Sequence, residues 1–451
     1  MIRRVILLAA VVLAGMVAWA EPVREVPGAT KLTILWSGLQ ALPAGYTIQQ
    51  SDIAEALTRR AYPGTVVEYI LADLSTGADK TMRAQVAAGT PPAMYIDTWV
   101  RAASYLRPDF ALDLRGYMDD LADYVPGALD GVTRNGAVLG LPLPGDVQAM
   151  AINLELVRDV GFAPKDWATW TVDEFLQLAE KVKAKYGGTK YVTGLFAGNQ
   201  SGDYLIRNWA ASFGAEFFKG GDYSKTAINT PAGKAMLDFF LALQIRGYVR
   251  PDWITQVDDD YVIDWATGKL AAVPFFFNWI EPYFKTVEDG GGKRFDYMFV
   301  PFPRVAGVTR VGAFYTGTGL VIPKNADDAQ NKLAAKYAQS YNSPEAQLQT
   351  WAVLGARPNR LSVVAAIGKP AQYSQVTSVV AANGLFDLGG SNPMYAATRT
   401  LFPNILQKIG KVPAGTLLAN YATEMNKVLA YYDEDMEKVF AEYKAKLLSG
   451  K

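Results

Sequence analysis

Tryptophan and carboxylate recur together in this chain, at the ends of apolar runs. Trp36 closes the run Lys31-Leu-Thr-Ile-Leu-Trp36, and Asp97 and Trp99 follow Ala93-Met-Tyr-Ile96. Trp279 and Glu281 follow the run from Val273 to Asn278, and Asp146 stands alone after Leu143-Pro-Gly. The two residue types have complementary chemistry. A ring face covers the apolar C–H face of a ligand, and a carboxylate accepts hydrogen bonds from its hydroxyls. Together they suit a neutral, hydroxyl-rich small molecule. Other chemistries stay open at this point. A polyamine would suit Asp97, Asp146 and Glu281. Asp97 and Asp146 could serve a carbohydrate-active enzyme as acid and base, at a separation of ~5–5.5 Å for retaining or ~6.5–9.5 Å for inverting chemistry. The bland alternatives are core packing for Trp36, Trp99 and Trp279, a turn for Gly-Asp146, and a helix cap for Asp97.

Composition narrows the field. Of 451 residues half are hydrophobic, and 44 Lys+Arg balance 44 Asp+Glu. Such a chain has no electrostatic footprint for nucleic acid or an anionic membrane. It contains no cysteine and no histidine. That excludes disulfides, thiolate catalysis, an acylated cysteine anchor, a Ser-His-Asp triad and imidazole metal sites. Asp258-Asp-Asp260 lacks the further alternating oxygens and glycine of a calcium loop and reads as a solvated turn. Gly290-Gly-Gly292 is followed by neither a P-loop nor a dinucleotide pattern and also reads as a turn. No cofactor, metal or catalytic residue is expected. A phosphate ester would need converging cations, and only Arg101 and Arg357 fall near the candidate residues.

The elements that must position these residues alternate strand and helix. Lys31 to Trp36 is a buried-strand run. A helical stripe through Ile53, Leu57 and Ala61 stops at Pro63-Gly64, and Thr65 to Leu71 is β-branched. Ala78 to Ala88 reads as helix ending at Gly89, before the short strand Ala93–Ile96. That rhythm builds a parallel sheet. Farther on, Thr171 and Glu174 have capping-box spacing ahead of the stripe Val172, Phe175, Ala179 and Val182. Thr230-Pro231 and Ser343-Pro344 each pair an N-cap with proline at the first helical position. The last ~35 residues, from Gly415, read as one helix.

Two stretches interrupt this rhythm. Gly136 to Asn153 is apolar, is broken by Pro142 and Pro144, and resumes as Val147, Ala149 and Ala151. Two prolines end one strand and let another begin, so the backbone leaves one layer here with Asp146 at the seam. Val300-Pro-Phe-Pro303 repeats this grammar and predicts the return crossing. Residues 1–20 have a targeting pattern. Arg3 and Arg4 precede an apolar stretch too short to span a membrane, and Ala18-Trp-Ala20 supplies a cleavage site.

Several segments, in order, resemble the maltose-type extracellular solute-binding proteins (family 1), the periplasmic receptors of sugar ABC importers. They include Tyr62-Pro-Gly-Thr-Val-Val-Glu68, Ala87-Ala-Gly-Thr-Pro-Pro-Ala93, Leu112-Asp-Leu114, Gly136 to Leu143 and Ala151-Ile-Asn-Leu-Glu-Leu-Val157. Trp170-Thr-Val-Asp-Glu174, Trp265 to Val273, Gly317 to Pro323 and Ser343-Pro-Glu-Ala346 continue the series. The departures are the missing lipobox cysteine and Ala93 in place of an aspartate.

The resemblance implies an α/β fold of the periplasmic-binding-protein type II kind, two α/β lobes joined by a hinge with the ligand cleft between them. Residues 21–143 with about 302–340 would form the first lobe, and 144–301 with about 341–451 the second. It implies a soluble, periplasmic, monomeric receptor rather than an enzyme, capturing a sugar or oligosaccharide and delivering it to inner-membrane permease subunits. Open α/β sheets bind ligands beyond the carboxyl ends of their strands. That rule and the family's contact positions select Trp36, Asp97, Trp99, Asp146, Asp203, Tyr204, Trp279 and Glu281, with Tyr315 in the Gly312–Gly317 loop as a further candidate.

Overall fold

A computed structural model describes residues 30–37, 49–72, 77–125, 128–129, 132–144, 146–198, 203–218, 225–276, 280–309, 311–316, 318–354, 358–367, 384–385 and 401–449. In chain order the strands are β1 (Thr30–Ser37), β2 (Thr65–Ala72), β3 (Met94–Thr98), the hairpin β4 (Thr133–Arg134) and β5 (Ala137–Val138), and β6 (Leu141–Pro142). There follow β7 (Asp146–Asn153), β8 (Tyr191–Thr193), β9 (Leu270–Phe276), β10 (Tyr297–Val300), β11 (Val311–Thr316), β12 (Thr318–Val321) and β13 (Gly384–Leu385). They form two large sheets. The first runs β2-β1-β3-β12-β6, and the second runs β13-β11-β7-β9-β8 with β10 also on β7.

Each sheet carries its own core, so the chain folds as two α/β lobes. In the first, Leu32, Ile34, Met94 and Ile96 pack with Leu320, Val321 and Tyr337. In the second, Met150 and Ile152 pack with Phe175, Trp209, Phe240 and Val273. The local signals work as their chemistry requires. Thr171 Oγ1 accepts the Glu174 N–H at 3.1 Å while Glu174 Oε2 accepts the Thr171 N–H at 2.8 Å, closing the capping box ahead of helix Val172–Tyr186. Thr230 caps helix Pro231–Ile245 through the Gly233 N–H at 3.1 Å. At the end of helix Gly77–Ala87, Gly89 has φ +77°, a conformation that favours glycine.

The chain leaves the first sheet at Pro142 and enters the second at Asp146, at the proline-broken seam. The return crossing is not at Val300–Pro303. Pro301 O accepts the buried Trp170 Nε1–H at 2.7 Å, and the Phe302 ring lies 5.5 Å from that of Trp209. Those prolines end the β10–β7 ladder but keep the chain in the second core. The return comes between β11 and β12, where Thr316 pairs with Asp146 and Thr318 with Thr98. β11 therefore belongs to the second sheet, not to the first lobe, and Tyr315 is in a strand rather than a loop.

The assignment of everything after residue 341 to the second lobe is also corrected. Asn342 and Asn359 bond to Pro142 in the first lobe, and the far end of the C-terminal helix lies in the first core. Asp258–Asp260 form the first turn of helix Asp258–Ala266 instead of a solvated turn, with Asp260 Oδ2 accepting the Val257 N–H at 3.0 Å.

Candidate functional site

The two crossings lie side by side, and most candidate residues gather around them. Gly319 of β12 pairs with both Asp97 of β3 and Pro142 of β6, and the Leu143 N–H donates to Thr318 O at 3.0 Å. One step across the seam, Asp146 pairs with Thr316 and Val147 with Tyr315. Trp99 begins helix Trp99–Ala102, directly after β3. Asp203 and Tyr204 begin helix Asp203–Ser212, which packs on β11. β9 ends at Phe276 beside Gln148 of β7, and Glu281 is the second residue of the following helix, Ile280–Asp289. Trp279 lies outside the described residues.

Two candidates take different roles. Trp36 is only 8% exposed. Its ring meets those of Tyr69 and Tyr341 at centroid distances of 5.8 and 5.5 Å, the latter edge-on. Tyr69 OH is in turn 2.6 Å from Tyr337 OH and donates to Glu55 Oε1 at 2.9 Å. A ring enclosed in this way is core, not a stacking platform. Asp97 is fully buried inside β3, because the strand runs to Thr98 rather than stopping at Ile96. Its carboxylate accepts from Tyr95 OH and from Arg101 NH1, at 3.3 and 3.4 Å for the arginine. Asp97 therefore orients Arg101, itself 1% exposed, instead of presenting an open acceptor.

A second acid–arginine pair, Asp79 buried and Arg83 half-buried, lies beside it. Asp79 forms an ion pair with Arg83, its Oδ2 3.0 Å from Nε, and accepts a hydrogen bond from Tyr105 OH at 3.3 Å. Burial pushes the Asp79 carboxyl above its ordinary range against the pull of Arg83, and burial likewise raises the Tyr95 hydroxyl.

Sequence reasoning missed the polar floor of the second lobe. Gln148 of β7, 3% exposed, accepts a hydrogen bond from Asn208 on helix Asp203–Ser212, with Arg207 buried alongside. The available signal was a glutamine inside an apolar alternation, since a buried amide needs a partner. A cavity of about 360 Å³ elsewhere in the second lobe, lined by Thr169, Thr171, Arg304 and Val308 among others, includes none of the candidates.

Two α/β lobes joined by paired strand crossings, with polar and aromatic residues collected at the seam, define a hinged binding protein. The chain belongs to the bacterial extracellular solute-binding proteins, whose family profile matches residues 52–378. A curated relative, the lactose-binding protein of Rhizobium radiobacter, is 24% identical over 227 residues, 49% of this chain. That match covers 51% of the relative, so the chain spans about half the length of the curated relative it matches. Among solved structures, the GacH receptor of Streptomyces glaucescens GLA.O, known unliganded and with acarbose, has a TM-score of 0.68 at 18% identity. That match covers 89% of this chain and 99% of the receptor. Maltose-bound MalE3 of T. maritima has a TM-score of 0.66 at 19% identity, covering 89% and 100%. These likenesses show the fold. No helix among the described residues is long and apolar enough to cross a membrane.

Proposed function

We propose that this chain is a periplasmic receptor that captures a sugar or oligosaccharide between its lobes by hinge closure and delivers it to the permease of an ABC importer. The observation that carries the reading is the pair of adjacent crossings, Pro142 to Asp146 and Thr316 to Thr318. They bring the start of helix Trp99–Ala102, Asp146, Tyr315 and Arg101 to one seam. Two short strands are a pivot that bends without unpacking either core. The sugar-binding relatives support this ligand class. Asp97 is engaged by Arg101 and Tyr95, which removes it from the acid/base pair an enzyme would need and from the acidic set a polyamine would prefer.

A ligand closes the lobes only as far as it contacts the closed state better than the open one. The test is a thermal-shift screen over mono- and oligosaccharides, polyamines and phosphate esters, because binding raises apparent stability by mass action. The best ligand is then titrated against Asp146→Ala. The reading expects a sugar to give the largest shift and the variant to bind more weakly with its fold intact. A screen led by a polyamine or phosphate ester overturns the sugar, and unchanged affinity reduces Asp146 to a strand residue of β7 with no part in binding.

A further inference from the structure

One helix is embedded in both lobes. Ala414–Ser449 runs for 36 residues, about 54 Å at the α-helical rise. Leu417, Leu418, Tyr421, Met425 and Leu429 lie in the second core, whereas Met436, Phe440 and Tyr443 lie in the first. Between Leu429 and Met436, Tyr431 stands 72% exposed, with Ala430 also exposed.

The two fastenings differ in the extent of their apolar contacts and in charge. In the second lobe, Tyr421 packs against Phe402 at 5.3 Å and Phe217 at 6.4 Å, and Asn426 Oδ1 accepts the Thr226 N–H at 2.9 Å. In the first lobe, Phe440 and Tyr443 meet Phe110 edge-on at 5.3 Å each, Phe440 also lies 6.2 Å from the Tyr105 ring, Met436 is buried with them, and charged tips add to this hold. Asp435 pairs with Arg83, Glu437 with Arg107 at 2.7 Å, and Lys444 with Asp109 at 2.7 Å. Arg83 is shared, since it also forms an ion pair with Asp79 at 3.0 Å.

The strand crossings allow rotation, but a continuous helix curves only gently, and stretching or kinking it would break its own hydrogen bonds. If the lobes rotate, one fastening must slip. Interdigitated packing resists gradual sliding, and the helix buries five such side chains, Leu417 to Leu429, in the second lobe against three, Met436, Phe440 and Tyr443, in the first. Ion pairs between long side chains re-form over a range of geometries and are individually weak. Resting on the hinge motion proposed above, we propose that the C-terminal helix is a strut that travels with the second lobe and slips on the first. Its ion pairs with Arg83, Arg107 and Asp109 are a latch holding the lobe arrangement of this structure. On slipping, Asp435 leaves Arg83, which stays with Asp79.

Because the chain has no cysteine, Arg60→Cys on helix Gln49–Ala61 and Gln177→Cys on helix Val172–Tyr186 can carry one spin label per lobe, both at exposed positions. Ligand-free label-to-label distances are compared, by double electron–electron resonance, between this chain and its Asp435→Asn, Glu437→Gln, Asp109→Asn form. The latch-cut form should show a broadened distribution, or a second distance populated several-fold more. Raising salt to about 0.5 M should shift the intact chain the same way, since exposed pairs are screened. Lys234→Gln, which cuts the Lys234–Asp238 pair on the second lobe, should change nothing. A latch-cut distribution coinciding with that of the intact chain at both salt concentrations overturns the strut. The ligand screen reads the hinge independently, so the two proposals can fail separately.

Discussion

The side-chain amide of Asn359 donates to the carbonyl oxygen of Pro142 at 2.6 Å, fixing the residue from which the chain leaves the first lobe. Asn342 Nδ2 donates to the same oxygen at 2.8 Å, and Gln347 ties the two asparagines together at 2.7 and 2.6 Å. Arg360, 1% exposed, caps the cluster by donating to Asn342 O and pairing with Asp120 at 2.7 Å, its guanidinium 4.6 Å from the Tyr124 ring centroid. The hinge strand thus starts from a rigid polar anchor.

Asn359→Ala should therefore destabilise the protein by about 1–3 kcal/mol, the range for stranding buried hydrogen-bonding groups. It strips a donor from Pro142 O and the Oδ1 acceptor from Gln347 Nε2, leaving only the backbone N–H of residue 359 on Gln347 Oε1. Urea unfolding monitored by tryptophan fluorescence reads the loss. A midpoint equal to that of the unsubstituted chain would mean the cluster does not anchor the strand.

Asp97→Ala separates two roles for that carboxylate. As the buried partner of Arg101, its removal should cost about 3–5 kcal/mol, because a charge remains where water does not reach. As an open ligand acceptor, its removal would weaken binding at unchanged stability. Paired unfolding and binding titrations distinguish the two, and we expect the first pattern.

Trp170→Phe keeps an aromatic ring but removes the donor to Pro301 O. A loss of about 1–3 kcal/mol is expected, with no change in lobe-to-lobe distance. A changed distance at unchanged stability would return residues 300–303 to the hinge.

Acid should weaken the fold. Burial pushes the Asp109 carboxyl up, but Lys444 and Arg107 outweigh it and hold it below the usual carboxylate range. Asp123 behaves likewise, with Ser362 and Arg360 overcoming its burial. A carboxylate with a lowered folded pKa stabilises above its unfolded value, ~3.9, and loses that contribution as pH falls through the folded one. Asp79, raised by burial, has the opposite sign: its contribution is present below ~3.9 and fades as pH rises. Asp113, Asp159, Glu174, Asp252 and Asp328 are lowered too, so seven depressed carboxylates against one raised among the described residues predict a lower urea midpoint at pH 3 than at pH 7. Asp109→Asn with Asp123→Asn should flatten that dependence, and an unchanged slope would count against these two groups.

Much of this architecture is legible locally. The run Lys31–Trp36 is β1 within a residue at either end, the capping residues Thr171 and Thr230 each start the expected helix, and the helix read from Gly415 begins at Ala414. Pro142 and Pro144 mark the first crossing because proline cannot continue a ladder. These features depend on side-chain period, backbone donors and caps, which neighbouring residues determine among themselves.

The rest depends on partners far along the chain. No proline or charge marks the return between Thr316 and Thr318, on either side of which the strand partners change from β7 to β3 and β6. Asp97 reads as a strand-end acceptor until Arg101 and Tyr95 are placed around it, and Trp36 as a binding platform until Tyr69 and Tyr341 enclose it. The C-terminal helix has one apolar stripe in sequence, yet two cores bury it. The sequence by itself determined the strands and helices with clear periods and caps, and the point at Pro142 where the chain first leaves the first lobe. Only the tertiary structure decided which faces are spent on the core and which meet at the seam, because burial is set by whatever packs opposite, and that lies hundreds of residues away.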